Sequence, residues 1–497
     1  MALTANVEST FEAEPWSTRL VAPLLCLVAG LALGTMIGAV PLKILALAVA
    51  GAVGIILALG FPYVGGCLFV CALVSVTDAD ANYDQIVWPI RDISKIPGLP
   101  SALWSFFLLL FGGSMFRLYF IRQGCSRLSL RYLAIYVGIL LFATAVGLTN
   151  GWPIEGMHAE SFRFLYPVMF FYLALHLFDR PDRIRRALWL MFAVATFTAA
   201  VLGGYYLAGR GVVFALDGVD TSSRIVTDDS GILMTFTAML LLALAHVMSG
   251  QVRWMQSVCL ALGCIPLVFA VLFSFRRTVW IGAAGGLLVL WLFATRAERR
   301  RLLRFVAPVI PVLLLVFGIL ACQTGAMNLS GNLVGRFNTL LNPQQSSNRY
   351  HAFESLQTLK DIARQPFTGL GLAARHSPLP QYPNSGVPRN VVHNAWLFIW
   401  MKLGLPGLLA LVWVFIRYLR QVAGGLRPTA HAVDRPILQA LAALVPIWVM
   451  SSVTGPMPWY PRETMQVALF SALALNLVYL GRSAAGQPNV IACASRR

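Results

Sequence analysis

The sequence predicts an all-α, polytopic integral membrane protein with about 12–14 transmembrane helices and a large, partly helical outer loop. Three observations carry that expectation: the composition, the spacing of apolar stretches and the placement of the arginines. Of 497 residues, 58% are hydrophobic and only 12% are charged. The mean hydropathy is +0.72. An ordinary soluble domain is about 45–50% apolar and about 25% charged, so too little charge is present to clothe a water-facing surface. The same figures exclude a disordered chain and a small disulfide scaffold.

A spanning helix needs roughly 20 apolar residues. Such stretches begin near Leu20, Leu42, Phe61, Leu103, Tyr132, Phe164, Ala187, Gly231, Trp254, Thr278, Phe305, Ala395, Ile437 and Met465. Gly60–Phe61–Pro62 reads as a tight turn or a kink. The longest break in hydrophobicity runs from about Ala321 to Asn394. Within it, Phe353, Leu356, Leu359 and Ile362 recur at helical spacing after Ser347–Asn348, and Pro366 stops the run. Gly369–Leu370–Gly371 then permits a tight backbone turn.

The net charge of +18 belongs almost wholly to arginine, since only Lys43, Lys95, Lys360 and Lys402 are lysines. Arg122/Arg127/Arg131, Arg180/Arg183/Arg185/Arg186, Arg296/Arg299/Arg300/Arg301/Arg304 and Arg417/Arg420/Arg427 fall on one side if the segments alternate, together with both termini. By the positive-inside rule that side is the cytoplasm. The opposite side receives the acid-containing loops Asp78 to Lys95, Asn150 to Arg163 and Gly209 to Ser230. No basic stripe interleaved with aromatics suggests nucleic acid as a partner. The eight cysteines form no C-x-x-C pair and imply neither zinc nor a disulfide framework. The first 19 residues lack a basic n-region and read as a cytoplasmic tail.

Polar groups where apolar segments meet the outer side are the candidates for chemistry, because charge at a membrane edge is costly. His393 and Asn394 stand at the outer mouth of a spanning helix, followed by Gly404 and Gly407. A half-shielded histidine suits a general base. The competing reading makes Asn394 a helix cap and His393 incidental. Arg276 and Arg277 sit at an outer junction, where a guanidinium fork matches phosphate oxygens, or where both snorkel to lipid headgroups. Arg224 either binds an anion or pairs with Asp228 or Asp229, and Arg349 opens the outer-loop helix as a ligand or as a solvated surface residue.

The pattern His393, Asn394, Leu397, Gly404 and Gly407 resembles the signature of the O-antigen ligase and polysaccharide polymerase superfamily of bacterial membranes. Arg349 with its helix, Pro366 and the Gly369–Leu370–Gly371 turn resemble it too. Arg277 three residues before Trp280 resembles the family's S-R-x-x-W segment, although the serine of that segment is missing. The resemblance covers roughly residues 200–420. It implies a ligase/polymerase-like core over 201–420 with its outer loop 321–394, while hydropathy and charge set a cytoplasmic tail over 1–19, N-terminal transmembrane helices over 20–200, and C-terminal helices with a cytoplasmic tail over 421–497.

The resemblance further implies a metal-independent glycosyl transfer at the periplasmic face of the inner membrane, with no cofactor. The donor is a glycan on undecaprenyl pyrophosphate, His393 accepts the proton of a sugar hydroxyl, and Arg224, Arg277, Arg349 and Arg276 hold the pyrophosphate, with Asn394 supporting. A flippase and a chain-length regulator are the implied protein partners, and membrane lipids the surroundings. The polymerase is the reading taken. The alternatives are an O-antigen ligase, which uses lipid A core as acceptor, and a transporter or flippase of the same lipid-linked sugars. Asp78–Ala79–Asp80 resembles the D-x-D of metal-dependent membrane glycosyltransferases, or is a solvated loop. The main expectation is spatial: the imidazole and the guanidinium groups, distant in sequence, converge on one outer pocket.

Overall fold

A computed structural model describes residues 52–75, 102–118, 130–208, 212–214, 222–224, 230–305, 307, 311, 346–380, 390–426, 434–455, 457 and 460–484. The segment expected near Leu20, most of those expected near Leu42 and Phe305, and the Asp78–Ala79–Asp80 motif lie outside the described residues. The chain forms two compact units, residues 1–69 with 94–124, and residues 70–93 with 125–497.

In the first unit a helical run over 52–59 closes at Gly60, whose amide donates to the Ile56 carbonyl at 2.8 Å, and α1 (Pro62–Ser75), whose residues from 70 onward are assigned to the second unit, begins directly after. The Gly60–Phe61–Pro62 stretch is thus a turn between two helices. It is followed in the chain by α2 (Ala102–Phe116). Phe69 stacks on Phe107 with ring centroids 5.2 Å apart.

The second unit contains α3 (Leu130–Thr149), α4 (Ile154–Leu177), α5 (Pro181–Leu207), α6 (Ser230–Ser249), α7 (Trp254–Phe273), α8 (Arg277–Phe293), α9 (Ser346–Ile362), α10 (Ala395–Gly425), α11 (Arg435–Ala442), α12 (Val445–Thr454) and α13 (Pro461–Ala484). Strands β1 (Val212–Phe214) and β2 (Ser222–Arg224) form a short antiparallel ribbon between α5 and α6, pairing Val212 with Arg224. The architecture is all-α and polytopic. Among the described residues seven helices are long and apolar enough to span a membrane, with three shorter apolar helices besides. Their outward faces carry Leu141, Leu262 and Leu292, each more than 60% exposed. Hydrocarbon rather than water is the solvent that such faces fit.

The arginine-rich junctions meet at one end of this unit. Arg185, at the start of α5, pairs with Asp434 before α11 at 2.8 Å. Arg435 donates to the Phe293 carbonyl at the end of α8, and Arg301 to the Ser249 carbonyl at the end of α6. Thr295 and Glu298 cap each other reciprocally and start the helical run over 296–305 that carries Arg301. Helix direction then assigns the starts of α4, α6, α8 and α10 to the opposite end, which is the end with His393.

One expectation fails here. Asn150 to Arg163 is not a loop: the chain turns at Gly151 and enters α4 at Ile154. Pro153 supplies an extended backbone before the first turn, and Glu155 sits near the positive end of the helix dipole. Glu160 consequently lies on a buried helix face, where it meets Lys402 of α10 at 2.7 Å.

Helix α10 kinks at Gly404, whose φ of 68° and ψ of −173° break the helix ahead of Pro406. The break frees backbone groups that the segment after α9 uses. Leu370 N donates to Met401 O at 2.7 Å, and Leu405 N to Phe367 O at 3.1 Å. A Cβ at Gly404 would collide with the Phe367 carbonyl and lie 2.6 Å from the Thr368 carbonyl carbon, so only glycine allows this crossing. Gly371, at φ 85°, turns the same segment against Gly147 of α3, and Leu372 N donates to Ala143 O. The core beneath is apolar, with Met157, Phe164, Ile362, Leu372, Phe398 and Met401 buried together.

Candidate functional site

The start of α10 is fixed by Asn394. Its Oδ1 accepts from the amides of Trp396 and Leu397, both at 3.1 Å, satisfying two of the orphan donors of a helix start. The cap and the histidine are both built in, for His393 is not incidental. Its backbone N donates to Glu354 Oε2 at 2.8 Å, and its Nδ1 lies 3.1 Å from both Glu354 oxygens. Glu354 is fully buried, while the His393 side chain is 22% exposed. A buried carboxylate is an acceptor only, so the ring proton resides on Nδ1 and Nε2 keeps the lone pair.

Glu354 comes from α9, the outer-loop helix that the sequence predicts, but the helix faces another way than its apolar residues suggest. Glu354, Thr358 and Asp361 are buried with Ile362, whereas Leu356 and Leu359 are 52% and 42% exposed. The polar residues are inside because each has a partner there: Asp361 accepts from Ser377 N and Oγ at 2.7 and 2.6 Å, as Glu354 does from His393. Burial alone would raise the Glu354 pKa, but the hydrogen bonds and charge of His393 hold it below the ordinary carboxylate value.

His351 stands inside the long break in hydrophobicity that precedes Asn394. It lies on α9, one turn before Glu354, with its ring centroid 4.6 Å from that of His393. Tyr350 packs edge-on to both imidazoles, and its hydroxyl is 3.4 Å from Glu354 Oε1. Burial, then the neighbouring His393 charge, push the His351 pKa down to about 4; Glu354 opposes this and Arg277 adds to it. In the unfolded chain the imidazole titrates near 6.5. Above that pH neither state binds the proton. As pH falls from 6.5 toward 4, the unfolded chain takes up a proton that the folded one refuses, so stability is lost across that window. The melting temperature of the detergent-solubilised protein is expected to fall between those values, and less steeply in His351→Phe. Equal slopes would refute this account.

Arg276 and Arg277 are half-buried at the α7–α8 junction. Phe275, two residues before Arg277, is buried with φ 53°, a left-handed conformation that costs a bulky residue about 1–2 kcal/mol. Contacts with Phe273 and Trp280 hold it there. The turn sets Arg277 at the first position of α8 and within electrostatic reach of His351. Arg349 is exposed on the first turn of α9. The backbone of Arg224 is in β2, while its side chain lies outside the described residues. The structure thus brings His393, Glu354 and His351 together, with the Arg277 charge within electrostatic reach of His351, and it leaves Arg349 facing solvent.

Glu354 and His351 escaped the sequence reading. Their i, i+3 spacing on a predicted helix was a usable signal, since it sets both on one face. Lys402, a lone lysine inside an apolar run, was another, because such a charge demands a partner.

The fold and the site together define a multi-pass helical membrane protein with a carboxylate-held histidine at the mouth of a kinked helix. Residues 262–412 match the model of a family described as O-antigen ligase. The resemblance to the O-antigen ligase and polymerase superfamily therefore holds over a stretch that includes Arg276, Arg277, Arg349, His351, Glu354, His393 and Asn394. The match supports an O-antigen ligase or polymerase type of function, a glycosyltransferase-like class. No curated protein matches the chain.

Proposed function

We propose that the protein is a bacterial surface-polysaccharide polymerase of the inner membrane, working at its periplasmic face with both termini cytoplasmic. It transfers a glycan from undecaprenyl pyrophosphate to a sugar hydroxyl of a second lipid-linked unit. The observation that carries this reading is the Glu354–His393 pair, which leaves His393 Nε2 as a proton acceptor. The acceptor oxygen attacks the anomeric carbon, the bond from that carbon to the pyrophosphate oxygen breaks, and the hydroxyl proton goes to Nε2. The imidazolium that forms is stabilised by the Glu354 carboxylate. Arg277, with Arg276, Arg224 and Arg349, holds the charge that develops on the leaving pyrophosphate, and preorganised charge of this kind is often the largest catalytic term. A polyprenyl tail remains in hydrocarbon while its head group reacts, which accounts for an enzyme built into the membrane. A flippase and a chain-length regulator are the proposed protein partners.

Two expected results test the chemistry. Arg277→Lys keeps the charge but loses the planar fork, so turnover on a lipid-pyrophosphate glycan is expected to fall about 10-fold or more. Wild-type kinetics would count against a role in clamping pyrophosphate. Activity is also expected to survive EDTA, because the step needs no metal. Abolition by EDTA with rescue by Mg²⁺ would instead promote Asp78 and Asp80. The description of the matched family favours a second reading, the ligase, which differs only in the acceptor. Offering purified protein a lipid A core acceptor beside a lipid-linked repeat unit separates the two. A transporter predicts no new glycosidic bond with either.

A further inference from the structure

We propose that His351, Glu354 and His393 form a binding site for a divalent transition-metal ion of the zinc class, and that its occupancy inhibits the protein. Each residue offers one ligand atom, and the three atoms lie within 4.8 Å of one another. Two helices supply them: His351 and Glu354 from one face of α9, and His393 from the residue before the cap of α10. His351 Nδ1 is buried and makes no hydrogen bond, and such an atom gains a partner if it ligates. His393 Nδ1 and the Glu354 oxygens are 3.1 Å apart. An ion about 2.0–2.1 Å from each would see them at an angle of roughly 95–100°, within reach of a distorted tetrahedron. Two imidazoles and one carboxylate also make up the three-ligand set of open zinc sites, in which a fourth position remains for water.

The donor types select the ion. Imidazole nitrogens favour zinc, copper, nickel and cobalt over magnesium and calcium, which prefer all-oxygen sites.

The consequence for transfer, which rests on the function proposed above, follows from the tautomers of imidazole. A neutral ring has one lone pair and one N–H. Ligation through Nε2 consumes the lone pair directly. Ligation through Nδ1 moves the ring proton to Nε2, which then donates and no longer accepts. Either way the bound ion removes the base, and it also takes the carboxylate that would stabilise the imidazolium. At tenfold excess over its own Kd, Zn²⁺ is expected to slow transfer about 11-fold, with full recovery on adding EDTA.

Cobalt provides a readout that needs no glycan. Full-length protein in detergent, titrated with CoCl2, is expected to bind one equivalent with the visible absorption of low-coordinate Co²⁺, and ZnCl2 is expected to bleach it. His351→Ala and Glu354→Gln should lose that absorption, and transfer by His351→Ala should no longer respond to Zn²⁺. His351→Phe, which preserves the packing on His393, serves as the second variant if the alanine protein does not fold. No cobalt spectrum at about 100 µM metal, or an unchanged spectrum in both His351 variants, would overturn the site. Protein that binds cobalt but transfers no glycan keeps this site and sinks the transferase reading. Protein that transfers glycan at an undiminished rate with zinc bound refutes the inhibition.

Discussion

Protein carrying His393→Ala is expected to lose about 10²–10⁴-fold in glycan transfer while binding the lipid-pyrophosphate donor nearly as well as before. The substitution removes the proton acceptor and leaves the cap at Asn394 and every arginine in place. The Asn394 side chain still accepts from Trp396 and Leu397, so α10 starts where it did. Donor affinity, measured with a non-transferable analogue, thus reports on pyrophosphate binding alone, and the rate reports on the base. Glu354→Gln makes the complementary change. Its amide oxygen can still accept from His393 Nδ1, but it carries no charge to offset an imidazolium. A loss in rate smaller than that of His393→Ala is expected, together with a pH–rate profile displaced from the wild type. Transfer by His393→Ala at the wild-type rate would show that another group takes the proton, and the proposed mechanism would fall with it.

The largest expected effect on stability comes from the ion pair between α4 and α10. Lys402 and Glu160 are both at most 1% exposed and 2.7 Å apart. Lys402 Nζ also donates to Ala374 O at 2.6 Å, and Glu160 Oε2 accepts from Ala373 N at 2.7 Å. The pair therefore ties the segment after α9 to two helices through its backbone. Removing one partner strands a buried charge, at a cost of about 3–5 kcal/mol. Glu160→Ala and Lys402→Ala are each expected to lower the melting temperature of the detergent-solubilised protein by several degrees. The double replacement Glu160→Leu with Lys402→Met should recover part of the loss, since no charge is left unpaired. It should not recover all of it, because Ala373 N and Ala374 O are then buried without partners, at about 1–3 kcal/mol each. Single variants that melt with the wild type would mean that the pair contributes no net stability. A double variant no better than the singles would mean that backbone satisfaction, and not charge pairing, dominates.

Much of the fold is legible along the chain because the bilayer imposes a one-dimensional rule. A spanning helix satisfies its own backbone and needs only length and apolarity, so α3, α5, α6, α7, α10 and α13 announce themselves. The arginine runs likewise predict a shared end before any contact is known, and Arg185–Asp434 and Arg301–Ser249 show that end assembled. The Asn394 cap and the Gly369–Leu370–Gly371 turn are local signals, read correctly from local chemistry. α4 was placed too late because Glu155, Glu160 and Arg163 interrupt its hydropathy. A charge that reads as loop in sequence is admissible in a buried helix once a partner arrives from elsewhere, and Lys402 is 242 residues from Glu160 along the chain.

The site shows the same division. His393 and Arg277 are conspicuous because each is a polar group at an apolar boundary. Glu354 and His351 lie in a polar helix, where an acid or a histidine attracts no notice. Periodicity specifies that α9 is a helix but not which face turns inward; Leu356 and Leu359 face out and Glu354 and Asp361 face in.

By itself, then, the sequence determined a multi-pass helical protein, the end at which its basic junctions gather, and the histidine and arginines that stand at the other end. Only the tertiary structure decided that Glu354 holds His393, that His351 packs beside it within electrostatic reach of Arg277, and that Lys402 is paired with Glu160. The physical reason is the range of the interactions. Hydrophobic length and helix capping act between neighbours in the chain, whereas a buried charge is stable only through a partner whose place is fixed by how the helices pack.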